Sequence, residues 1–420
     1  MESTRNRRRR PIWQILGPGL ITGASDDDPS GIATYSQAGA QFGYGLAWTM
    51  LFSFPLMAAI QEICARIGRV TGHGIAGNIR RHYPPALLPF TVGLLVVANV
   101  INLGADLNAM GDVVQLFIGG PRLLYTFGFG ALCVVLEIYM RYRRYIDLLK
   151  WASLTLLAYV AAALSIEIPW GEVLRHTFMP SFSLDAALAL TATLGTTISP
   201  YLLFWQSSDE AEKERQDRHA HALIRAPGEA TAEIFRIRID TYIGMFFSNL
   251  IGWFIIVTVA STLHAHGAVT IDTASQAAEA LRPIAGPFAF LLFALGIIGT
   301  GMLAVPVLAG SAAYALGETL KWPVGLARLP MEAKAFYGTI AAATMLGVGM
   351  NLTPLDPIKA LFWSAVLNGV AAAPLMAVAM LMASSRRVMG PFVLRPGLAF
   401  MGWLATLAMA GAAIGMFASF

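Results

Sequence analysis

Charge is what this sequence has least of: Lys, Arg, Asp and Glu make up 13% of its 420 residues, against roughly a quarter in an average soluble domain. Cysteine is nearly absent as well. The two present, Cys64 and Cys133, have neither zinc-finger spacing nor the number a disulfide framework needs, so both are expected to be packing residues. Also missing are a phosphate-binding glycine loop, a nucleophile elbow and a zinc-protease pattern. Neither ATP hydrolysis nor covalent catalysis is indicated, and no enzyme activity or cofactor is expected. What the chain has instead is apolar length: 56% of its residues are hydrophobic and its mean hydropathy is +0.61, which marks a polytopic membrane protein.

A bilayer core of ~30 Å takes about 20 mostly apolar residues per helix. Runs of that kind predict eleven spans, at 12–38, 43–67, 86–117, 122–140, 146–167, 186–206, 239–265, 283–316, 335–352, 357–383 and 394–418. Lys and Arg stay on the cytoplasmic side during insertion. With the N-terminus inside, 25 of the 29 basic residues fall on that side, and only Arg122, Arg175, Arg282 and Lys359 fall opposite. This agrees with an odd number of spans and a cytoplasmic N-terminus in the inner (plasma) membrane. The pI near 9.1 then follows from topology and implies no nucleic-acid partner, while the RNRRRR start suits anionic lipid.

The stretch GASDDDPSGIAT, residues 23–34, breaks this pattern. In a continuous helix Asp26, Asp27 and Asp28 would sit mid-membrane at about 2.5 to 3.5 kcal/mol each. Pro29 lacks an amide hydrogen and disfavours helical geometry before it, and Gly23 and Gly31 are expected to bracket a break by tolerating unusual backbone angles. Broken backbone survives at membrane depth only when buried in protein or lining an aqueous cavity. A second interruption lies at Pro200, with Gly195, Thr196, Thr197 and Ser199 around it. If the chain holds two five-helix repeats, spans one and six correspond. Paired interrupted helices in corresponding positions point to the midplane site of a secondary transporter, and the carboxylates tip that site toward a cation.

The stretches GPGLITGASDDDPSGIAT, AGAQFGYGLAW and QEICARIGRVTGHGIAGNIRRHYP resemble the natural resistance-associated macrophage protein (NRAMP) family of proton-coupled divalent-metal transporters. The resemblance covers most of the chain. It implies an all-α, leucine-transporter-like fold of two inverted five-helix repeats, with helices one and six broken and an eleventh helix added. The corresponding segments are a basic cytoplasmic segment 1–11, a first repeat 12–167, a second repeat 168–383 containing a cytoplasmic connector 209–238, and the extra helix in 384–420. The family's Asp-Pro-Gly-Asn motif reads Asp28, Pro29, Ser30, Gly31 here, and its Met-Pro-His motif reads Ser199, Pro200, Tyr201. Asp106 stands where the family usually has a glutamate tied to proton movement, Leu103 replaces a second acidic position, and Ala365 replaces a glutamine ligand, with Asn368 one turn later. Thioether suits softer transition metals, whereas carboxylate, hydroxyl, carbonyl and water suit hard ions such as magnesium, or manganese. The departures therefore suggest a relative near the NRAMP-related magnesium transporters.

The expected metal ligands are Asp28 first, then Asp27, Ser199 and Thr196. Asp106, Asn102 and Asp26 are expected to relay protons or cations, Asn102 and Asp106 sharing a helix face four residues apart. Pro29, Gly31 and Pro200 are expected to make the backbone breaks, and Gln206 and Glu210 to line the inner exit. His219 with His221, and His264 with His266, are candidate metal-staging pairs whose bland reading is polar surface. The expected function is import of a divalent cation, the substrate, by alternating access with or without coupled protons, in a monomer within the lipid bilayer. The alternatives are an ion-coupled transporter of a small organic solute on the same fold, and a non-transporting metal sensor.

Overall fold

The computed structural model describes residues 22–140 except 24, and residues 156–181, 185–216, 220–267, 270–271, 273–282, 286–352 and 356–418. The basic segment 1–11, the start of span one, the arginines at 141, 143, 144 and 218, Lys150 and His219 lie outside the described residues. Among those described, every regular element is helical: α1 Pro29–Phe42, α2 Trp48–Thr71, α3 Ile75–His82, α4 Leu87–Ile118, α5 Arg122–Tyr139, α6 Leu157–Ser165, α7 Trp170–Phe178, α8 Ala187–Thr197, α9 Pro200–Gln216, α10 Ala230–Thr262, α11 Ala274–Glu279, α12 Ala289–Leu320, α13 Lys334–Met350, α14 Pro357–Ala383, α15 Arg386–Met389 and α16 Pro396–Ala418. Eight stretches among the described residues are long and apolar enough to cross a membrane, with α8 and α9 together forming one of them. The other predicted spans are represented by shorter pieces: α1 has 14 residues, α6 nine and α13 17.

The surface is apolar where a bilayer would lie. Phe90, Phe117, Leu124, Leu346, Phe400, Leu407 and Ile414 are all exposed, while Asp26, Asp27, Asp28, Asn102 and Asp106 are buried. Hydrocarbon outside offers no partner to polar groups, so these residues turn inward to one another.

Prolines divide into two kinds. Pro55, Pro306 and Pro374 sit inside unbroken helices α2, α12 and α14. Pro29 and Pro200 each open a new helix, where the missing amide hydrogen costs nothing. Within the polar stretch 209–238, α9 runs on to Gln216 and α10 begins at Ala230. Ion pairs tie these helical extensions to their neighbours: Arg236 pairs with Glu210 and Glu233, and Arg69 reaches Glu229 and Glu233, both at 3.3 Å, and the His221 carbonyl at 2.6 Å.

The expectation for the glycines is corrected. Neither Gly23 nor Gly31 has a positive φ, and Gly31 lies inside α1. They sit at close approaches: a Cβ on Gly23 would lie 2.4 Å from the Gly244 backbone of α10, and one on Gly31 would lie 3.2 Å from the Thr196 hydroxyl. The halves of helix six are gripped the same way. A Cβ on Gly195 would lie 2.2 Å from the Ala365 carbonyl of α14, and one on Gly68 of α2 would lie 1.9 Å from the Ser207 carbonyl of α9.

At the end of the bundle that holds α3, Glu318 of α12 accepts from the Gly74 and Gly77 amides, each at 2.8 Å, satisfying first-turn donors that α3 leaves free. Arg80 of α3 donates back to the Glu318 carbonyl. Glu318→Ala is expected to cost about 2 kcal/mol and Glu318→Gln less, read as ordered drops in the melting temperature of detergent-purified protein. Equal melting temperatures for all three would contradict this role.

Candidate cation site

The first break is made by Asp28. Its backbone is extended (φ −70°, ψ 173°) and its Oδ1 caps α1, accepting from the Gly31 amide at 2.8 Å and the Ser30 hydroxyl at 2.6 Å. Oδ2 faces the bundle and accepts from Asn102 Nδ2 of α4 at 3.0 Å and the Tyr201 hydroxyl of α9 at 3.3 Å. The Tyr201 hydroxyl also lies 2.9 Å from the Ser25 carbonyl. One side chain from the second break thus touches both flanks of the first.

The aspartate trio does not act as one cluster. Asp26 and Asp27 turn toward α10, where the Ser248 hydroxyl is 2.6 Å from Asp26 Oδ2 and 3.3 Å from Asp27 Oδ1. Asp26 Oδ1 has no hydrogen-bond partner among the described residues. Nor do any three His, Cys, Asp or Glu side chains among them converge as a metal cluster.

At the second break α8 stops at Thr197, Ile198 leaves helical geometry (φ −118°, ψ 63°) and Pro200 restarts the chain as α9. The Ser199 hydroxyl folds back onto the Gly195 carbonyl at 3.0 Å and the Thr196 carbonyl at 2.7 Å, covering acceptors that the break exposes. Thr196 Oγ1 is buried without a partner among the described residues and lies against the first turn of α1. Thr197 bonds the Thr193 carbonyl at 2.6 Å and lies 3.3 Å from the Tyr35 hydroxyl.

Asp106 follows Asn102 by one turn on α4. It is buried beside the Ser30 backbone amide, and neither of its oxygens completes a hydrogen bond among the described residues. Asn102 Oδ1 lies 2.8 Å from the Ser364 hydroxyl of α14, whose hydrogen is shared with the Leu361 carbonyl at 2.7 Å. Asn368, one turn along α14, has an amide with no partner among the described residues.

Gln206 and Glu210 are both buried. Gln206 donates to Thr241 of α10 at 2.9 Å, and Glu210 is engaged by Arg236. His264 and His266 donate through Nδ1 to the Ala40 and Thr262 carbonyls, so each tethers a helix end. Cys64 and Cys133 are buried and joined to no other cysteine among the described residues, and the Cys133 thiol packs against the Met302 sulfur at 3.5 Å.

Three contributors are absent from the sequence expectations: Tyr201 as a partner of Asp28, Ser364 behind Asn102, and Ser248 under Asp26 and Asp27. Each left a trace. Tyr201 directly follows the helix-opening Pro200, Ser248 interrupts the apolar run GMFFSNLIGW, and Ser364 precedes the Ala365 position that the resemblance singled out.

Two helices broken side by side, with buried carboxylates at one break and a polar side chain of the other reaching them, define the broken-helix class of membrane fold that secondary transporters use. Within that class the chain belongs to the family described as natural resistance-associated macrophage protein-like, which it matches over residues 19–419. It is 26% identical over 418 residues to the divalent metal cation transporter MntH of Verminephrobacter eiseniae (strain EF01-2), covering 96% of this chain and 89% of that one. To the MntH of Aeromonas hydrophila subsp. hydrophila it is 26% identical over 350 residues, 81% of each chain. Among solved structures, the Eremococcus coleocola manganese transporter superposes with a TM-score of 0.73 at 16% identity, covering 99% of this chain and 90% of that chain. A nucleobase-cation-symport-1 family transporter in a closed conformation gives 0.52 at 16% identity, over 96% and 92%. These likenesses show the leucine-transporter-like fold.

Proposed function

We propose that this protein is a secondary active transporter that carries a divalent metal cation inward across the plasma membrane by alternating access, with Asp28 as the principal ligand and magnesium or manganese favoured over softer metals. The observation that carries the reading is the meeting of the two breaks, with Asp28 Oδ2 buried and facing helix six through Tyr201. Carboxylates buried at that depth are costly, and Asp26, Asp27, Asp28 and Asp106 are all buried there, as expected along an ion pathway. The relatives' names as divalent metal cation transporters support the substrate class.

The hardness of the donor set supports the choice within that class. Ser199 stands where the resemblance expects a thioether, and the side-chain groups that contact Asp28 are the Ser30 and Tyr201 hydroxyls and the Asn102 amide. Such oxygens match magnesium, which keeps part of its water shell, and manganese. Asp27 and Thr196 belong to the proposed ligand set, and Asp106, Asn102 and Asp26 to a relay flanking it. Gln206 and Glu210 belong to an inner gate that must loosen before release. Two five-helix repeats ending near 167 and 383, eleven spans, an N-terminus inside and a monomeric state complete the proposal.

The test is flux of Mg2+, Mn2+, Ca2+ and Fe2+ in proteoliposomes, with and without a pH gradient. Mg2+ or Mn2+ flux well above that of empty vesicles, with Fe2+ slower, is expected. Flux of none of them overturns the reading, and a preference for Fe2+ overturns the choice of hard ions. Acceleration by an inward proton gradient would assign proton coupling.

A further inference from the structure

The shell of donors around Asp28 has a property that a binding site alone does not require. Oδ1 takes two hydrogen bonds from its own turn, Ser30 and Gly31, which travel with α1 wherever it goes. Oδ2 takes its hydrogen bonds from elsewhere: Asn102 on α4 at 3.0 Å and Tyr201 on α9 at 3.3 Å. Those two exist only when α1, α4 and α9 are packed together.

The Asn102 amide sets its NH2 group toward Asp28, which can only accept, and its Oδ1 toward the Ser364 hydroxyl at 2.8 Å, whose one hydrogen is shared with the Leu361 carbonyl at 2.7 Å. Rotated by half a turn, the amide would set its oxygen against a carboxylate. Ser364 is therefore a positioning residue for Asn102. Tyr201 has one hydroxyl hydrogen and two acceptors in reach, the Ser25 carbonyl at 2.9 Å and Asp28 Oδ2 at 3.3 Å, so it shares that hydrogen between the halves of helix one.

A carboxylate offers about four lone-pair sites, and the donors of Ser30, Gly31, Asn102 and Tyr201 fill them, two on each oxygen, so a cation that binds Oδ2 displaces at least one of its two donors. The fully donor-bound and the cation-bound arrangements of Asp28 thus exclude each other. A buried carboxylate without a cation carries a large desolvation cost unless hydrogen bonds replace it. We propose that Tyr201 and the Ser364–Asn102 pair serve the return of the unloaded carrier: they stand in for the cation at Asp28, so that the bundle can close and reorient without cargo. This rests on the proposed transport function and assigns a step within it.

Net uptake requires the unloaded return, whereas exchange of cation for cation across the membrane does not. The proposal is tested in proteoliposomes by measuring net uptake into metal-free vesicles and isotope exchange into preloaded vesicles, with Mg2+ or Mn2+, whichever the unmodified protein carries faster. Tyr201→Phe and Ser364→Ala are each expected to lower the ratio of net uptake to exchange about tenfold, the scale of one hydrogen bond to a charged group. Ser364→Thr, which keeps the hydroxyl, is expected to retain the ratio of the unmodified protein. A damaged fold lowers both modes together, so the ratio isolates the return step, and the two variants on different helices provide independent readings.

An unchanged ratio in Tyr201→Phe and Ser364→Ala, or an equal loss of both modes in each, overturns the assignment. Absence of both modes in the unmodified protein instead removes the transport function itself, and the assignment with it.

Discussion

Asp28→Asn is expected to bring Mg2+ and Mn2+ flux down by on the order of 100-fold, to the level of empty vesicles, while leaving the protein folded. The asparagine side chain still offers an oxygen to the Gly31 amide and the Ser30 hydroxyl, which bond Asp28 Oδ1 at 2.8 and 2.6 Å, and Asn caps a helix as well as Asp does. What is lost is the acceptor Oδ2 together with its negative charge: an NH2 group there meets the Asn102 NH2 group and the Tyr201 hydroxyl, which keeps the Ser25 carbonyl as its other acceptor. Replacing a charged partner by a neutral one in a buried site costs about 3 kcal/mol, which is roughly 100-fold in affinity. Asp28→Ala should match it in flux and in addition lose the cap, at about 1 kcal/mol of stability. The pair of variants separates the two jobs of one residue: flux by metal uptake, stability by thermal unfolding in detergent. Flux retained in Asp28→Asn would remove Asp28 from the ligand set.

The second large effect concerns stability. Gly68 of α2 faces α9 so closely that a methyl group there would lie 1.9 Å from the Ser207 carbonyl oxygen and 2.8 Å from its carbon. Both are backbone atoms of a helix, so no rotamer change relieves the contact and α9 itself must move. Overpacking of a core usually costs 1 to 3 kcal/mol, and a backbone clash of this kind belongs at the top of that range, about 3 kcal/mol or above. Gly68→Ala is expected to lower the melting temperature sharply and the yield of monodisperse protein with it. Gly128→Ala in α5, where a Cβ would meet nothing within 4 Å, should be neutral or mildly stabilising because alanine favours helix. Similar melting temperatures for the two variants would refute the close contact between α2 and α9. Because α9 carries Tyr201 and α2 holds α9, Gly68 also bears on where the site's donor stands.

Much of the site was legible because it violates local rules. Three aspartates ahead of a proline in an apolar run have no cheap place in a bilayer, so the break at Asp28 and Pro29 could be read from residue chemistry alone, and Pro200 with its small polar neighbours gave the matching signal. The glycines misled because one property of glycine was invoked where another operates. Gly31 is helical and sits in tight contact with the Thr196 hydroxyl, and no pattern within residues 23–34 contains that information. The charge in 209–238 marks a polar connector, and Arg236 and Arg69 find carboxylates on neighbouring helices as α9 and α10 extend into it beyond the apolar spans.

By itself the sequence determined what depends on nearby residues in the chain: the apolar runs, the two interruptions and the family motifs. Only the tertiary structure decided which donor meets which acceptor. Ser25, Asp28, Asn102, Tyr201 and Ser364 lie in segments far apart in sequence, and Asp26 and Asp27 part from their neighbour Asp28 to meet Ser248. Hydrogen bonds have a range of about 3 Å and a preferred direction. Which of them form is set by how helices pack and rotate against one another, a property of the whole bundle.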